Sequence, residues 1–529
     1  MKRALGFLII IIFIFPALAA AEEMRPFGPL ALSCCERERG GVGEGFDKGA
    51  YIASMEKTKI LRIAMVDCVA MALKNNSEIL IRSIAPKIED ANVKTASGKF
   101  DPSFSFDFEM EDNTDNSDRP LFGPNPTKVR TSVINFGYDQ ALISGTKIAL
   151  DFNTTRTRSN YDPFFQAINP TFDSFAAVTV TQPLMRGGGI VVTQADFLIA
   201  KNNKLKSIQE FKKDVMKTLT DVKKAYYDFQ YSRAQYQTAV VSLKRVEDLY
   251  NINKEKYAKG IASNVDLLQS EAEVARFEKA VAGAEGVMKL AEDNLKFITN
   301  LVNDVELWSA NIEPLDALAY EKKELDSIDS LDKAFSHRPD YEAAKIDLKN
   351  KDITVIYNKN GMLPIVDLVG SWGYNGLAKN FEKDMGILGS GMYNDWKVGV
   401  SVTVPLGNDD AKGKYQKSKL EKQQALLAFK RMEQKIILEV RSAVREVDIR
   451  YRMLEASIKN RDAEQKNYEA QEARFRAGLV STHDIIDYQE KLARAEVSYA
   501  EAVIEYNKAI AELALAEGMT LIYDNIKIE

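Results

Sequence analysis

A chain of 529 residues is too long for one ordinary domain. Its formal charge of −5, with 28% charged residues, carries no mark of a nucleic-acid binder. With 2 His and 3 Cys it lacks the ligands of a zinc or iron site, and adjacent Cys34 and Cys35 with a lone Cys68 make no paired disulfide framework, so no cofactor is expected.

Lys2 and Arg3 precede an apolar run from Leu5 to Phe15 and then Ala17-Leu18-Ala19-Ala20-Ala21, the layout of a secretory signal over residues 1–21. That run is short for a spanning helix. No later stretch offers about 18 uninterrupted apolar residues, so no transmembrane helix is expected. An exported chain of this kind is periplasmic, secreted or an outer-membrane β-barrel. Residues 22–60 are Gly-rich and charged without periodicity, as in a poorly ordered leader. Cys34 lies too far beyond the apolar run for a lipid-attachment site.

Repeat-like organisation begins at residue 61. Ile63, Val66, Ala70 and Leu73 form one apolar stripe, which predicts a helix over Leu61–Ser97, with Pro86 as a kink point. The period then changes to two. Phe104, Phe106 and Phe108 alternate with polar residues, as do Ile134, Phe136 and Tyr138, then Ile148, Leu150 and Phe152, then Val178 and Val180. Ser144-Gly145 makes a tight turn between the middle two. Segments of about ten residues with one apolar face are the pattern of transmembrane barrel strands, here about 102–183. The same alternation occurs in half-buried strands of soluble sandwiches, so strand pattern alone leaves both open.

Residues 190–259 contain neither Gly nor Pro and predict one long helix. Its seam of Val215, Leu219, Val222, Tyr226, Phe229, Tyr236, Val240, Leu243, Tyr250 and Tyr257 follows heptad spacing, for packing against other helices. Gly260 then stops the helix, Ser263 starts the next, and helix resumes over 264–303. Residues 260–263 therefore read as the tip of an antiparallel helical hairpin. Repeat 1 spans 61–313, and Pro314 with an acidic segment makes a linker over 314–330.

The plan returns in repeat 2, residues 331–517. A helix over 331–360 precedes strands over about 364–406, a long helix over 414–477, a tip at 478–481 and a helix over 482–517. A tail occupies 518–529. Gly260, Ser263 and Asp266 recur 218 residues later as Gly478, Ser481 and Asp484, and the second seam (Val440, Val444, Val447, Tyr451, Leu454) holds the same register. Helices about 100 Å long cannot bury their seams within one chain, so a symmetric oligomer is expected. Strands with a lipid-type face cannot leave edges open in a bilayer, so several chains must close one barrel.

These residues resemble the TolC-like outer-membrane efflux proteins. The resemblance covers Leu61 to about Glu517. It rests on the two-fold repeat, Arg338-Pro339-Asp340, Leu363-Pro364, Gln182-Pro183-Leu184, and the tips Ala258-Lys259-Gly260-Ile261 and Ala477-Gly478-Leu479. It implies an α+β membrane protein: a homotrimer with one outer-membrane β-barrel continued by a periplasmic α-helical barrel. It implies partners as well: outer-membrane lipid, a periplasmic adaptor and an inner-membrane transporter, but no nucleic acid. On that reading the chain is the exit duct of a tripartite efflux or type I secretion system and catalyses nothing. Gly260, Ile261, Gly478 and Leu479 would dock the adaptor. Asp484 and Asp487 would form acidic rings at the pore entrance, with Asp266 at the matching place in the first tip. The family's Arg two residues after the second tip glycine and its locking Tyr are replaced here by Val480 and Phe475.

One departure concerns the barrel. The family's four strands per chain, twelve in all, leave an extra hairpin over about Thr131–Thr155, which either caps the outside or widens the wall to eighteen. Two other readings share parts of the pattern: a periplasmic coiled-coil adaptor, and a structural rod without a pore. Two tips and barrel-type strands argue against the first, and a conductance measurement separates a pore from either. An enzyme fits least, because the plentiful carboxylates lie on solvated helix faces, and His337 and His483 have no paired Cys or carboxylate motif.

Overall fold

The computed structural model describes residues 60–116, 126–162, 164, 166–261, 263–301 and 308–528. The expected signal, nearly all of the leader, and Cys34 lie outside these residues. The chain forms two compact units. Among the described residues, one comprises Ile88–Lys204 with Ile346–Leu427, and the other Leu205–Lys345 with the stretches 60–87 and 428–528.

The first unit is built on one antiparallel sheet of six strands: β2 (Ser103–Asp115), β3 (Thr127–Ala141), β4 (Lys147–Ser159), β5 (Thr171–Pro183), β7 (Ile365–Ala378) and β8 (Asn394–Thr403). They lie in that order across the sheet, each bonded to the next, with β2 and β8 as unpaired edges. Register keeps alternate residues on one face, so Phe106, Phe136 and Phe152 stand opposite one another across three strands. Their ring centroids are 5.0 and 5.9 Å apart. The hairpin expected near Thr131–Thr155 is therefore two strands in mid-sheet. A short helix between β7 and β8, Phe381–Ser390, had no sequence signal. It folds over the far end of the same face. There the Ser174 hydroxyl is hydrogen-bonded to Asp384 and to Thr154 (2.7 Å for the latter), all three being buried. These polar strand positions thus find partners instead of apolar surroundings.

The second unit is helical. Its start is not the single helix expected over Leu61–Ser97. A short strand, β1 (Ile60–Ile63), pairs in parallel with β6 (Asn311–Pro314). The helices α1 (Met65–Asn75) and α2 (Ser77–Ser97) follow. The break falls at Asn76, not at Pro86. Asn76 Oδ1 accepts from the Ile79 amide (3.1 Å), and a side chain that caps a new helix competes with continuing the old one. The helix expected over 331–360 is likewise two, α6 (Ser327–His337) and α7 (Pro339–Gly361), because a proline disfavours helical geometry in the residue before it.

The expected helix over 190–259 is a single turn, α3 (Ile190–Thr193), followed by α4 (Ala195–Ala258), which runs unbroken for 64 residues. The helix after the last strand runs for 68 (Asp409–Arg476), starting ahead of the expected 414 and tolerating Gly413. The shorter partners of the two hairpins are α5 (Asn264–Ile298) and, after the second tip, Thr482–Ala516. The first seam is buried from Val215 to Phe229, after which burial passes to Val246 and Leu249, leaving Val240 and Tyr257 exposed. The second seam is buried at Val440, Val444, Val447 and Leu454, packed on Val503, Tyr506 and Leu513. Among the described residues no helix is long and apolar enough to cross a membrane.

Candidate functional site

Both tips close by the same local chemistry. Gly260 (φ +74°) and Gly478 (φ +75°) adopt the left-handed conformation that ends a helix. At the first tip the Gly260 amide donates to the Tyr257 carbonyl (2.9 Å) and the Ile261 amide to Lys256 (2.9 Å). At the second, Gly478 donates to Phe475 and Leu479 to Arg474, each at 3.0 Å. A Cβ on either glycine would meet nothing within 4 Å, so backbone conformation, not space, selects glycine. Ile261 and Leu479 are 74% and 70% exposed, which leaves an apolar side chain at each tip free for a partner.

Each outgoing helix opens with a capping box. Ser263 Oγ accepts from the Asp266 amide and Ser481 Oγ from the Asp484 amide, both at 3.2 Å. In return, Asp266 accepts from Ser263 and Asp484 from Ser481, through amide and hydroxyl alike. The Ser481 hydroxyl, then its amide, holds the Asp484 carboxyl below the usual carboxylate range. Asp266 is thus satisfied within its own tip. Asp487 reaches Lys491 one turn on (2.6 Å). All three carboxylates have local partners in the chain.

Sequence reasoning did not find what joins the two hairpins. Asn253 Nδ2 donates to Thr482 Oγ1 (3.2 Å) and Gln489 Nε2 to the Ser242 carbonyl (3.2 Å), all four being buried. Arg276 pairs with Glu273 and with Glu490. The available signal was the 218-residue offset, which also aligns Arg276 with Arg494, and Arg494 meets the same Glu490 (3.2 Å). Phe475, where the resemblance places a locking Tyr, is buried with Leu249, Ile485 and Ile486. Lys256 stands 4.5 Å above its ring, a cation–π contact in place of a hydroxyl.

The sheet carries the second functional surface. On the face opposite the aromatic row, Asp107, Glu109, Glu111 and Asp115 lie on β2, and Asp139, Asp151, Asp173, Asp367 and Asp395 on the other five strands. Against these nine carboxylates the same face of the strands has two lysines, Lys147 and Lys397. The face is therefore strongly acidic, while the other shows Phe104, Leu150, Val178, Trp372, Trp396 and Val400. Among the described residues no cluster of His, Cys, Asp and Glu could hold a metal ion.

A family model described as outer membrane efflux protein matches residues 147–301 and 330–519. The antibiotic efflux pump outer membrane protein ArpC of Pseudomonas putida is 24% identical over 279 residues, 53% of this chain and 55% of that relative, so the match spans about half its length. Among solved structures, the outer-membrane channel OprN superposes with a TM-score of 0.62 at 14% identity, covering 89% of this chain and 92% of its own. The Campylobacter jejuni CmeC outer membrane channel superposes at 0.60 with 16% identity, covering 86% of both chains. At such identities these likenesses speak to the fold. With the family model matched over more than half of its residues, this chain belongs to the outer membrane efflux protein family.

Proposed function

We propose that the chain is one protomer of an outer-membrane exit duct, passing solutes from an inner-membrane transporter and a periplasmic adaptor to the outside. One observation carries the reading: a single sheet with an apolar face, an acidic face and two open edges. In a bilayer such edges have to be paired, and closure of the sheet with copies of itself pairs them. The apolar face then meets lipid and the acidic face lines water. Exposed apolar residues on the long helices, such as Leu427 and Leu438, likewise call for neighbouring chains. A homotrimer answers both needs, with one β-barrel continued by an α-helical barrel reaching into the periplasm.

The internal duplication is supported by how the hairpin ends are held. Asn76 Nδ2 donates to the Ile298 carbonyl (2.7 Å), and Arg338 Nη1 to that of Ala516 (3.2 Å). Ile298 and Ala516 are related by the same offset as the tips. At the periplasmic end, Gly260, Ile261, Gly478 and Leu479 meet the adaptor, and Asp484 and Asp487 form the acidic entrance, with Asp266 beside them. No reaction is assigned to the chain.

The test joins assembly to conduction. Purified protein cross-linked in mild detergent is expected to give a three-chain species, and the same preparation in a planar bilayer to give discrete conductance steps. A stable monomer with native helix content and no conductance overturns the duct and leaves the adaptor or the rod.

A further inference from the structure

We propose that each protomer supplies six strands to the membrane wall, with the hairpin β3–β4 as wall instead of as an appendage. This rests on the duct reading above and departs from the four strands per chain that the resemblance implies.

Four observations carry it. The hairpin is paired on both sides along its length, from Ser103↔Asp139 to Asp115↔Thr127 on β2 and from Lys147↔Thr181 to Thr157↔Thr171 on β5. It therefore lies between β2 and β5 and not over them. Its two faces continue those of the sheet. Phe136 and Phe152 extend the row begun by Phe106, while Asn135 and Asn153, bonded to each other, extend the row begun by Asp107. Gly137 leaves the room that Ser105 needs, since a Cβ there would stand 2.5 Å from the Ser105 hydroxyl.

Thirdly, its turn is seated. Gly145 has φ +91°, and a Cβ on it would lie 2.8 Å from the Gly187 carbonyl, where β5 passes into the helices. Thr146 donates to Gln182 at the foot of β5 (2.5 Å). A hairpin folded over the outside would have no such foothold. Fourthly, Arg130, Arg156 and Arg158 follow the apolar run of both strands on the apolar face, at the end away from this turn. Arg130 is paired with Asp112 on the neighbouring strand, and positive charge at this level suits the boundary where hydrocarbon gives way to phosphate headgroups.

Barrel diameter grows roughly in proportion to strand number. With strands about 4.8 Å apart and tilted about 40°, eighteen strands enclose about 36 Å between backbones, against about 24 Å for twelve. The outer exit of a three-chain duct would then have about twice the cross-section of a twelve-strand one. Its lumen would gain Asp139, Asp151 and Lys147 from every chain, a net charge of −1 each. Such an exit does not select by size among small solutes. It suits bulky or polymeric cargo, with cations favoured over anions.

The experiment is single-particle imaging of the full chain in lipid nanodiscs, counting wall strands and chains. Six strands per chain is the expected result. Four per chain, with β3–β4 outside the wall or inside the lumen, overturns the proposal. A ring of other than three chains overturns the trimeric duct, but six strands per chain would still uphold the hairpin as wall. As a functional readout, polyethylene glycols added from the outer side should enter up to a size that a twelve-strand wall excludes. Exclusion at twelve-strand size counts against the widened exit.

Discussion

At the scale of single residues, the proposed acidic entrance would ask two things of one carboxylate. Asp484 caps its own helix, yet in a ring of three chains it would also face its copies across the entrance. Like charges around a narrow axis repel, and a bound cation relieves that repulsion. Asn can accept the same cap hydrogen bonds, so Asp484→Asn with Asp487→Asn should leave helix content and trimer yield intact. Bilayer recordings should then show loss of cation preference and of block by trivalent cations. Selectivity and block as in the parent would leave Asp484 a cap and Asp487 the ion-pair partner of Lys491. Docking is separable from the gate. Replacing Gly260 and Gly478 with Ala strains each turn by about 1 kcal/mol but fills no occupied space. Retention of a periplasmic adaptor by the purified trimers, read by co-purification from cells, should fall while trimers persist; undiminished retention would remove the tips as docking points.

Glu292 behaves differently because it is buried. Burial by itself would raise its pKa, but hydrogen bonds from Lys296, the Ile312 amide and Lys289 outweigh that and hold it below the usual glutamate value. The contacts are 3.0, 2.9 and 3.1 Å. A depressed folded-state value contributes stability above the unfolded pKa of about 4.3, and that contribution disappears as pH falls through the folded value. Thermal melts should therefore lose stability below about pH 4. Glu292→Gln strands Lys296 without its anion and should cost about 3 kcal/mol near neutral pH, with a flatter acid limb. An unchanged melting temperature would show the pair to be solvated.

Among the elements, the strands and the long helices were read from the sequence with different success. Alternation in β3 and β4 identified both strands, because a period of two follows directly from the pleat. It did not say where they lie in the sheet, since the same alternation serves a wall strand and a cap. Phe136→Arg or Leu150→Arg distinguishes these uses. On a lipid-facing stave a midplane arginine costs about 2–4 kcal/mol, and outer-membrane assembly should drop sharply. Normal heat-modifiable protein in the outer membrane would place the hairpin away from lipid. Helix interiors were likewise legible, but not breaks such as Asn76, where a side chain on one turn captures the amide of the next. Pro86, the more obvious breaker, sits inside α2.

For the whole molecule, the faces without a partner are as informative as the core. On α5, Val287, Leu290 and Phe297 are exposed beside Tyr231 and Trp308 and line an apolar groove. In the trimer proposed above, a second copy would be the occupant. Leu290→Asp together with Phe297→Asp should lower the yield of the three-chain species on cross-linking while circular dichroism keeps its helical signal. Trimers at parental yield would assign the groove to another partner.

The sequence by itself determined the periods and the tips, because these depend on residues within a few turns of one another. Gly260 and Gly478 are legible for that reason: a helix stop followed by a cap is local chemistry. Only the tertiary structure decided that β3 and β4 stand between β2 and β5, that β1 pairs with β6, and that Arg276 and Gln489 tie one hairpin to the other. Those contacts join residues far apart in the chain. Strand order in particular has no local signature, since each strand's alternation is satisfied equally well by any neighbour that offers the same two faces.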